Sequence, residues 1–248
     1  MAGGVESMSR APFVMPKQSQ AFSRDAHIYD TTIGWRFVNP LMESGYGVDA
    51  MPQTVENVAR QFSIGRDEQD AFALESQNRY AAAERLGRFA EEITPVEVHL
   101  SSKEARLVSI DEHPRETSKE ALQRLRPIFQ QDGSTVTAGN SSGVNDGAAA
   151  LLLSSSRGLK QHSLRPRARI VACASAGVEP RIMGIGPVPA VQKVLRLAGL
   201  ALHQMDVIEL NEAFASQALA CIKELNLRFD DSRLNPNGGA IALGHPWG

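Results

Sequence analysis

The sequence predicts an α/β fold with parallel strands, and three observations predict it. Strand-like and helix-like segments alternate through the second part of the chain, a helical segment begins directly where an apolar strand ends at residue 211, and polar and basic residues at 160–167 separate two apolar blocks. The last of these is the best boundary between two units.

Residues 1–50 show little periodicity. Phe13, Tyr29, Trp35, Phe37 and Tyr46 are scattered among glycines, as in an ordered excursion with short helices, and Gly3-Gly4 reads as a turn. A helix is expected over 54–62, with the Thr54 hydroxyl as its cap. A second is expected over 66–86. Asp67, Glu68 and Asp70 lie near its positive end, Arg79 and Arg85 lie towards its negative end, and Gly87 follows. Val96, Val98 and Leu100 alternate in a strand over 93–100, with 107–110 as partner. An amphipathic helix is expected over 119–125. Small residues at 137–143 and the turn Asn145-Asp146-Gly147 lead into an apolar segment ending at Leu153. Beyond the boundary come a buried strand over 168–175, a helix over 188–200, a strand over 206–210, a helix over 211–225, and glycine-rich loop chemistry over 235–248.

Composition excludes several classes. Hydrophobic residues at 42% and charged residues at 22% suit a packed core and not a disordered chain. A net charge of −2 offers no polybasic face, so nucleic acid is not an expected partner. No apolar run reaches the ~18 residues of a membrane span, and the first residues lack the apolar core of a signal peptide. Cys173 and Cys221 cannot form a disulfide framework. A cytoplasmic setting is expected, or an organelle if a targeting segment lies upstream. The histidines show no ligand spacing, so no metal is expected.

Three segments can carry chemistry. In Asn237-Gly238-Gly239 through Gly244-His245-Pro246, small residues let backbone approach a ligand, and Pro246 constrains the histidine before it. Such a histidine can present one ring nitrogen to a reacting atom, or it can sit solvated on a tight turn. Asn211-Glu212-Ala213-Phe214 lies where strand meets helix, a place where open parallel sheets gather ligands. Its amide can hold a water or a carbonyl oxygen, or it can simply cap the helix. Residues 137–142 with Asn145-Asp146-Gly147 form a small-residue loop ahead of a helix, able to receive an extended, amide-bearing ligand or to serve as plain turn chemistry. Both cysteines read as buried small hydrophobes.

Together these segments resemble the thiolase family. Gly3-Gly4-Val5-Glu6-Ser7-Met8-Ser9, Thr137-Ala138-Gly139-Asn140, Met183-Gly184-Ile185-Gly186-Pro187, Asn211-Glu212-Ala213-Phe214 and the Gly-His-Pro at 244–246 occur in the family's order across the whole chain. The stretches 29–37 and 111–115 resemble 3-oxoadipyl-CoA members in particular. The resemblance implies a thiolase-like fold of αβαβα layers and two similar halves, here incomplete, with an inserted α+β loop domain over CoA. Residues 1–160 would be the remainder of the N-terminal half, with the loop domain at about 13–140, and 167–248 the first part of the C-terminal half.

It also implies an acyl-CoA C-acyltransferase, converting 3-oxoacyl-CoA and CoA into acyl-CoA and acetyl-CoA or running the reverse condensation. His245 would activate a nucleophile and donate to the thioester oxyanion. Asn211 would hold the water that completes the oxyanion hole. CoA, a substrate and not a covalently bound cofactor, would touch Met51, Arg115, Ala138, Ser142, Met183 and Phe214. Ala50 departs from the histidine that many biosynthetic members carry before the Met51 position. Both family cysteines would lie outside the chain, one upstream of Gly3-Gly4 and one downstream of Gly-His-Pro. The expectation is therefore an internal stretch, inactive alone, from a protein that forms dimers or tetramers. The alternative is a non-catalytic CoA-binding or oligomerisation module.

Overall fold

The computed structural model describes residues 1–101, 104–129 and 133–246. Residues 247 and 248, the end of the expected glycine-rich loop, lie outside them, as do 102–103 and 130–132 within the expected loop domain.

The chain opens on strand β1 (Ala2–Glu6). Two short strands follow, β2 (Phe13–Val14) and β3 (Tyr29–Asp30), paired antiparallel. Helix α1 (Pro40–Tyr46) is capped by the Asn39 side chain, which accepts from the Leu41 N–H at 2.9 Å. Helix α2 (Met51–Gln61) begins three residues before the expected Thr54. Its entry is organised by Gln53, whose side-chain oxygen accepts from the Ala50 N–H at 2.7 Å. Thr54 is therefore an interior residue, and its hydroxyl donates to the Met51 carbonyl at 2.8 Å. Helix α3 (Arg66–Arg85) matches its expected limits, and Gly87 takes φ +68° just beyond it, the left-handed geometry that ends a helix.

Strands β4 (Val96–Ser101) and β5 (Glu104–Val108) pair antiparallel. Helix α4 (Lys119–Gln123) is capped by Ser118, which accepts from Ala121 at 3.2 Å. The apolar segment that follows the small-residue loop, where a helix was expected, is strand β6 (Gly147–Leu151), antiparallel to β1. Alanine favours helix, but pairing with β1 overrides a propensity this small. That pairing also removes the expected Gly3-Gly4 turn. A Cβ on Gly3 would stand 2.2 Å from the Ala149 carbonyl oxygen, so glycine serves a close strand contact there.

Helix α5 (Ser156–Gln161) precedes the irregular stretch 164–179 and a 3₁₀ segment at Pro180–Ile185. Helix α6 (Pro187–Ala198) ends at Gly199 with φ +68°. Helix α7 (Ala215–Glu224) starts four residues after the expected 211, and α8 (Ala240–Leu243) interrupts the final glycine-rich segment.

The expected parallel sheet is not formed among the described residues. The three sheets there are two-stranded and antiparallel, and the parallel pairing present is the single bridge Ile208↔Leu234. A strand exists only through hydrogen bonds to a neighbour, and 168–175 and 206–210 find none long enough to pair along their length. Ile170 and Val171 are consequently exposed, and so is Cys173, against the expectation that it would be buried.

The core is helical. Phe72 of α3, Leu122 of α4, Leu219 and Ile222 of α7 and Ile241 of α8 pack in one cluster with Leu234. A second cluster joins Val58 of α2, Ile182 and Ala220. Burying a side chain of this size contributes about 1.5–3 kcal/mol. The core thus draws the segments that carry Leu234 and Ile241 onto α3.

Candidate active site

The extended segment 206–210 is held on its edge by Asn235. The Asn235 N–H donates to the Ile208 carbonyl at 2.8 Å, its side-chain oxygen accepts from Leu210 at 2.7 Å, and its side-chain nitrogen donates to the Leu210 carbonyl at 2.8 Å. With the Ile208 N–H donating to the Arg233 carbonyl at 2.8 Å, residues 233–235 act as a short parallel neighbour, which the Asn235 side chain extends to Leu210. Asn235 adopts φ +40°, the left-handed region that asparagine tolerates better than most side chains.

Asn211 to Ala213 stay outside α7, whose cap is Phe214, so Asn211 is not the helix cap that one reading allowed. The segment is pinned to the 137–142 loop. The Ser142 N–H and hydroxyl both donate to the Ala213 carbonyl, at 3.0 and 2.9 Å, and the Ala215 N–H donates to the Asn140 carbonyl at 2.9 Å. A bridge pairs Ser141 with Phe214.

Glu212 points inward and is 2% exposed. Its carboxylate accepts from the Ser76 hydroxyl at 2.6 Å, the Asn235 side chain at 2.7 Å and the Ile241 N–H at 3.3 Å. Burial pushes its carboxyl above the usual range, against these three hydrogen bonds, which favour the ionised form. Gly239 passes directly over it. A Cβ there would meet the carboxyl carbon at 2.2 Å, so the turn closes only because residue 239 has no side chain.

Closing that turn brings His245 back towards Asn211. Asn211 Nδ2 and His245 Nε2 come to lie 3.3 Å apart. Asn211 is exposed and His245 half-buried, so the pair is open to solvent. Burial lowers the imidazole pKa, and the ring is neutral near neutral pH.

The other expected residues fall into two neighbouring groups. Arg115 donates through Nη2 to the Ala138 carbonyl at 3.0 Å, while Ser142 and Phe214 meet across the bridged loops. Met51 begins α2 and Met183 lies in the 3₁₀ segment packed on α2; both are partly exposed. Asp49 ties these two elements together, accepting from Arg181 at 2.9 Å and Asn57 at 2.8 Å, and the Arg181 guanidinium holds its carboxyl below the usual range. Both groups meet α7, the first at its start and the second along its length.

Sequence reasoning missed several supports of this site. Ser76 sits on α3 with no local signal, since its partners Glu212 and Gly239 are distant in the chain. His113 Nε2 and the Gln77 amide each lie 3.1 Å from the Ile241 carbonyl, and Gln77 also accepts from the Arg115 N–H at 3.2 Å. The Asn-Pro-Asn-Gly-Gly run could have drawn attention to Asn235 as a turn residue, though not to its strand-edge role.

Cys221 is fully buried in α7, donates to the Gly184 carbonyl at 3.4 Å, and burial pushes its thiol up to about 11. Cys173 is exposed in the irregular stretch before the 3₁₀ segment. Among the described residues no three His, Cys, Asp or Glu side chains gather as a metal-holding group, and no helix is long and apolar enough to cross a membrane.

Known proteins share this arrangement of sequence and fold. The thiolase N-terminal domain family matches residues 1–157, and the thiolase C-terminal domain family matches 164–248. The chain is similar to the beta-ketoadipyl-CoA thiolase of Pseudomonas aeruginosa, at 61% identity over 100% of this chain and 62% of the relative. It is also similar to the 3-oxoadipyl-CoA/3-oxo-5,6-dehydrosuberyl-CoA thiolase of Escherichia coli, at 59% identity with the same coverage. Among solved structures, human mitochondrial 3-ketoacyl-CoA thiolase in complex with CoA superposes with a TM-score of 0.84 at 44% identity, over 99% of this chain and 60% of that one. The acetyl-CoA acetyltransferase of Bacillus anthracis superposes at 0.83 and 37% identity, over 98% and 59%. The chain therefore spans about three-fifths of the length of the proteins it matches. Matched end to end in sequence and in backbone, it belongs to the thiolase family and carries an incomplete thiolase-like α/β fold.

Proposed function

We propose that the chain supplies the oxyanion-stabilising and CoA-binding parts of an acyl-CoA C-acyltransferase acting on 3-oxoacyl-CoA thioesters of the 3-oxoadipyl type. The observation that carries this reading is the 3.3 Å separation of Asn211 Nδ2 and His245 Nε2. One oxygen can lie ~2.9 Å from both nitrogens, which is hydrogen-bond distance. With the imidazole proton on Nε2, both groups would direct N–H bonds, or a bridging water, at a thioester oxygen as negative charge develops on it. Losing one such donor typically costs ~10²–10³ in rate. A neutral His245 can also take the proton of an attacking thiol.

CoA would lie along Met51, Arg115, Ala138, Ser142, Met183 and Phe214, with Arg115 near the nucleotide phosphates. Residues 1–160 would form the first unit, its loop domain at about 13–140 covering CoA, and 167–248 would begin the second. The names of the relatives and the CoA-bound human structure support this reading. The protein it describes is cytoplasmic and a dimer or tetramer, binds no metal, and has no nucleic-acid or membrane partner.

The burial of Cys221 favours a second reading, a CoA-binding module without turnover. Two measurements on the purified chain test these readings. Calorimetry should detect CoA binding, and no binding at millimolar CoA removes both. Thiolysis of 3-oxoadipyl-CoA and acetoacetyl-CoA should stay at background for the chain alone. CoA-dependent turnover would refute both the inactivity of the isolated chain and the binding-module reading.

A further inference from the structure

We infer that Asn145 is a positioning residue for His245, its side-chain oxygen holding the His245 backbone N–H at 3.1 Å and so locking the histidine turn of the second unit onto the Asn145-Asp146-Gly147 turn of the first. The contact engages the backbone and not the ring. It sets where the imidazole starts, through the main chain alone.

The two turns are shaped for each other. Gly244 takes φ +96°, and a Cβ on it would stand 2.7 Å from the Asn145 side-chain oxygen. On the other side a Cβ on Gly147 would stand 2.5 Å from Pro246. A glycine on each turn therefore allows an approach that any side chain would block. The Asn145 turn is itself anchored. Its neighbour Asp146 accepts from the Ser9 N–H at 2.8 Å, the Ser9 hydroxyl at 2.5 Å and the Ser7 hydroxyl at 3.4 Å, and these bonds hold its carboxyl below the usual range. Strand β6 starts at Gly147 and pairs with β1, so the turn is fixed from both ends. A chain of contacts thus runs from Ser7 and Ser9 through Asp146 and Asn145 to His245. Displacements near 1 Å at a reacting group can cost ~10²-fold in rate, which makes such an anchor consequential.

The importance of this contact for chemistry rests on the oxyanion reading of His245, but its geometry does not. The test therefore needs no turnover. Isotope-labelled chain is prepared as wild type, Asn145→Ala, Asn145→Asp and Gly147→Ala. The nuclear Overhauser effect between the Asn211 side-chain amide and the His245 ring is measured, with the methyl signals of Val58, Leu234 and Ile241 reporting the core. We expect Asn145→Ala to lose the effect with the core signals unmoved, and Asn145→Asp, which keeps an acceptor oxygen, to retain it. Retention in Asn145→Ala, or loss in Asn145→Asp with the core intact, overturns the proposal. If Asn145→Ala fails to fold, Gly147→Ala decides: separation of the turns should abolish the effect, and its persistence overturns the proposal. A failure of CoA binding or of thiolysis bears only on the functional reading and leaves this result standing.

Discussion

The Ser76 hydroxyl donates to the Glu212 carboxylate at 2.6 Å, and in the other direction Ser76 accepts from the Gly239 N–H at 3.1 Å. One small side chain on α3 thereby joins the loop that carries Asn211 to the loop that carries His245. All three partners are buried, so their polar groups have no water to fall back on.

Replacing Ser76 with Ala should leave a buried carboxylate and a buried N–H each short of a partner, at about 1–3 kcal/mol per unsatisfied group. Urea unfolding should show a lower midpoint with an unchanged slope. An unchanged midpoint would mean that the loops hold each other without α3.

Glu212→Gln tests the buried charge. Burial raises the folded-state pKa above its ordinary 4.5, so the native state holds its proton more tightly than the unfolded chain. The resulting stability is fully present below pH 4.5 and is lost as pH rises through the folded value. The difference in unfolding free energy between wild type and Glu212→Gln should therefore change across that window and be flat above it. A difference constant from pH 4 to 8 would contradict a raised pKa.

Gly239→Ala should be more disruptive than its size suggests. The added carbon would lie 2.2 Å from the Glu212 carboxyl carbon, which is itself held by three donors and cannot withdraw. Overpacking of this kind costs roughly 1–3 kcal/mol. Thermal unfolding should show a clear drop, whereas Gly45→Ala, which has open space, should show almost none.

His245 should titrate below its ordinary 6.5 when its ring proton shifts are followed by NMR, because burial disfavours the imidazolium. A group with a depressed folded pKa adds stability that is present above 6.5 and is lost as pH falls through the folded value. A midpoint at or above 6.5 would place the ring in water or beside a carboxylate.

Arg115→Ala should weaken CoA binding about tenfold, equivalent to ~1.4 kcal/mol, if its guanidinium meets phosphate. Raising the ionic strength should weaken wild type more than the variant. Equal affinities would remove Arg115 from the ligand path.

Local patterns made several elements legible. Helix α3 carries acidic residues at its start, basic ones at its end and a glycine beyond, all local signals, and it was placed correctly. The alternation of Val96, Val98 and Leu100 likewise marked β4, whereas its partner β5 lies at Glu104–Val108 and not at the expected 107–110. Misreadings arose wherever a distant partner decides the outcome. Residues 168–175 have the composition of a buried strand, yet without a partner strand they lie exposed, and Cys173 with them. Residues 147–151 could be helix by propensity, and only β1 makes them a strand.

The sequence by itself determined the family, because several motifs of small and polar residues recur in order, and it determined which residues to watch at 211 and 245. Only the tertiary structure decided how Asn211 and His245 come to lie together. Their meeting depends on Ser76, Glu212, Asn235 and Asn145, whose hydrogen bonds span long stretches of chain. Such bonds leave no periodic trace in a sequence, since they form only once helical packing has removed water and brought the two loops within reach.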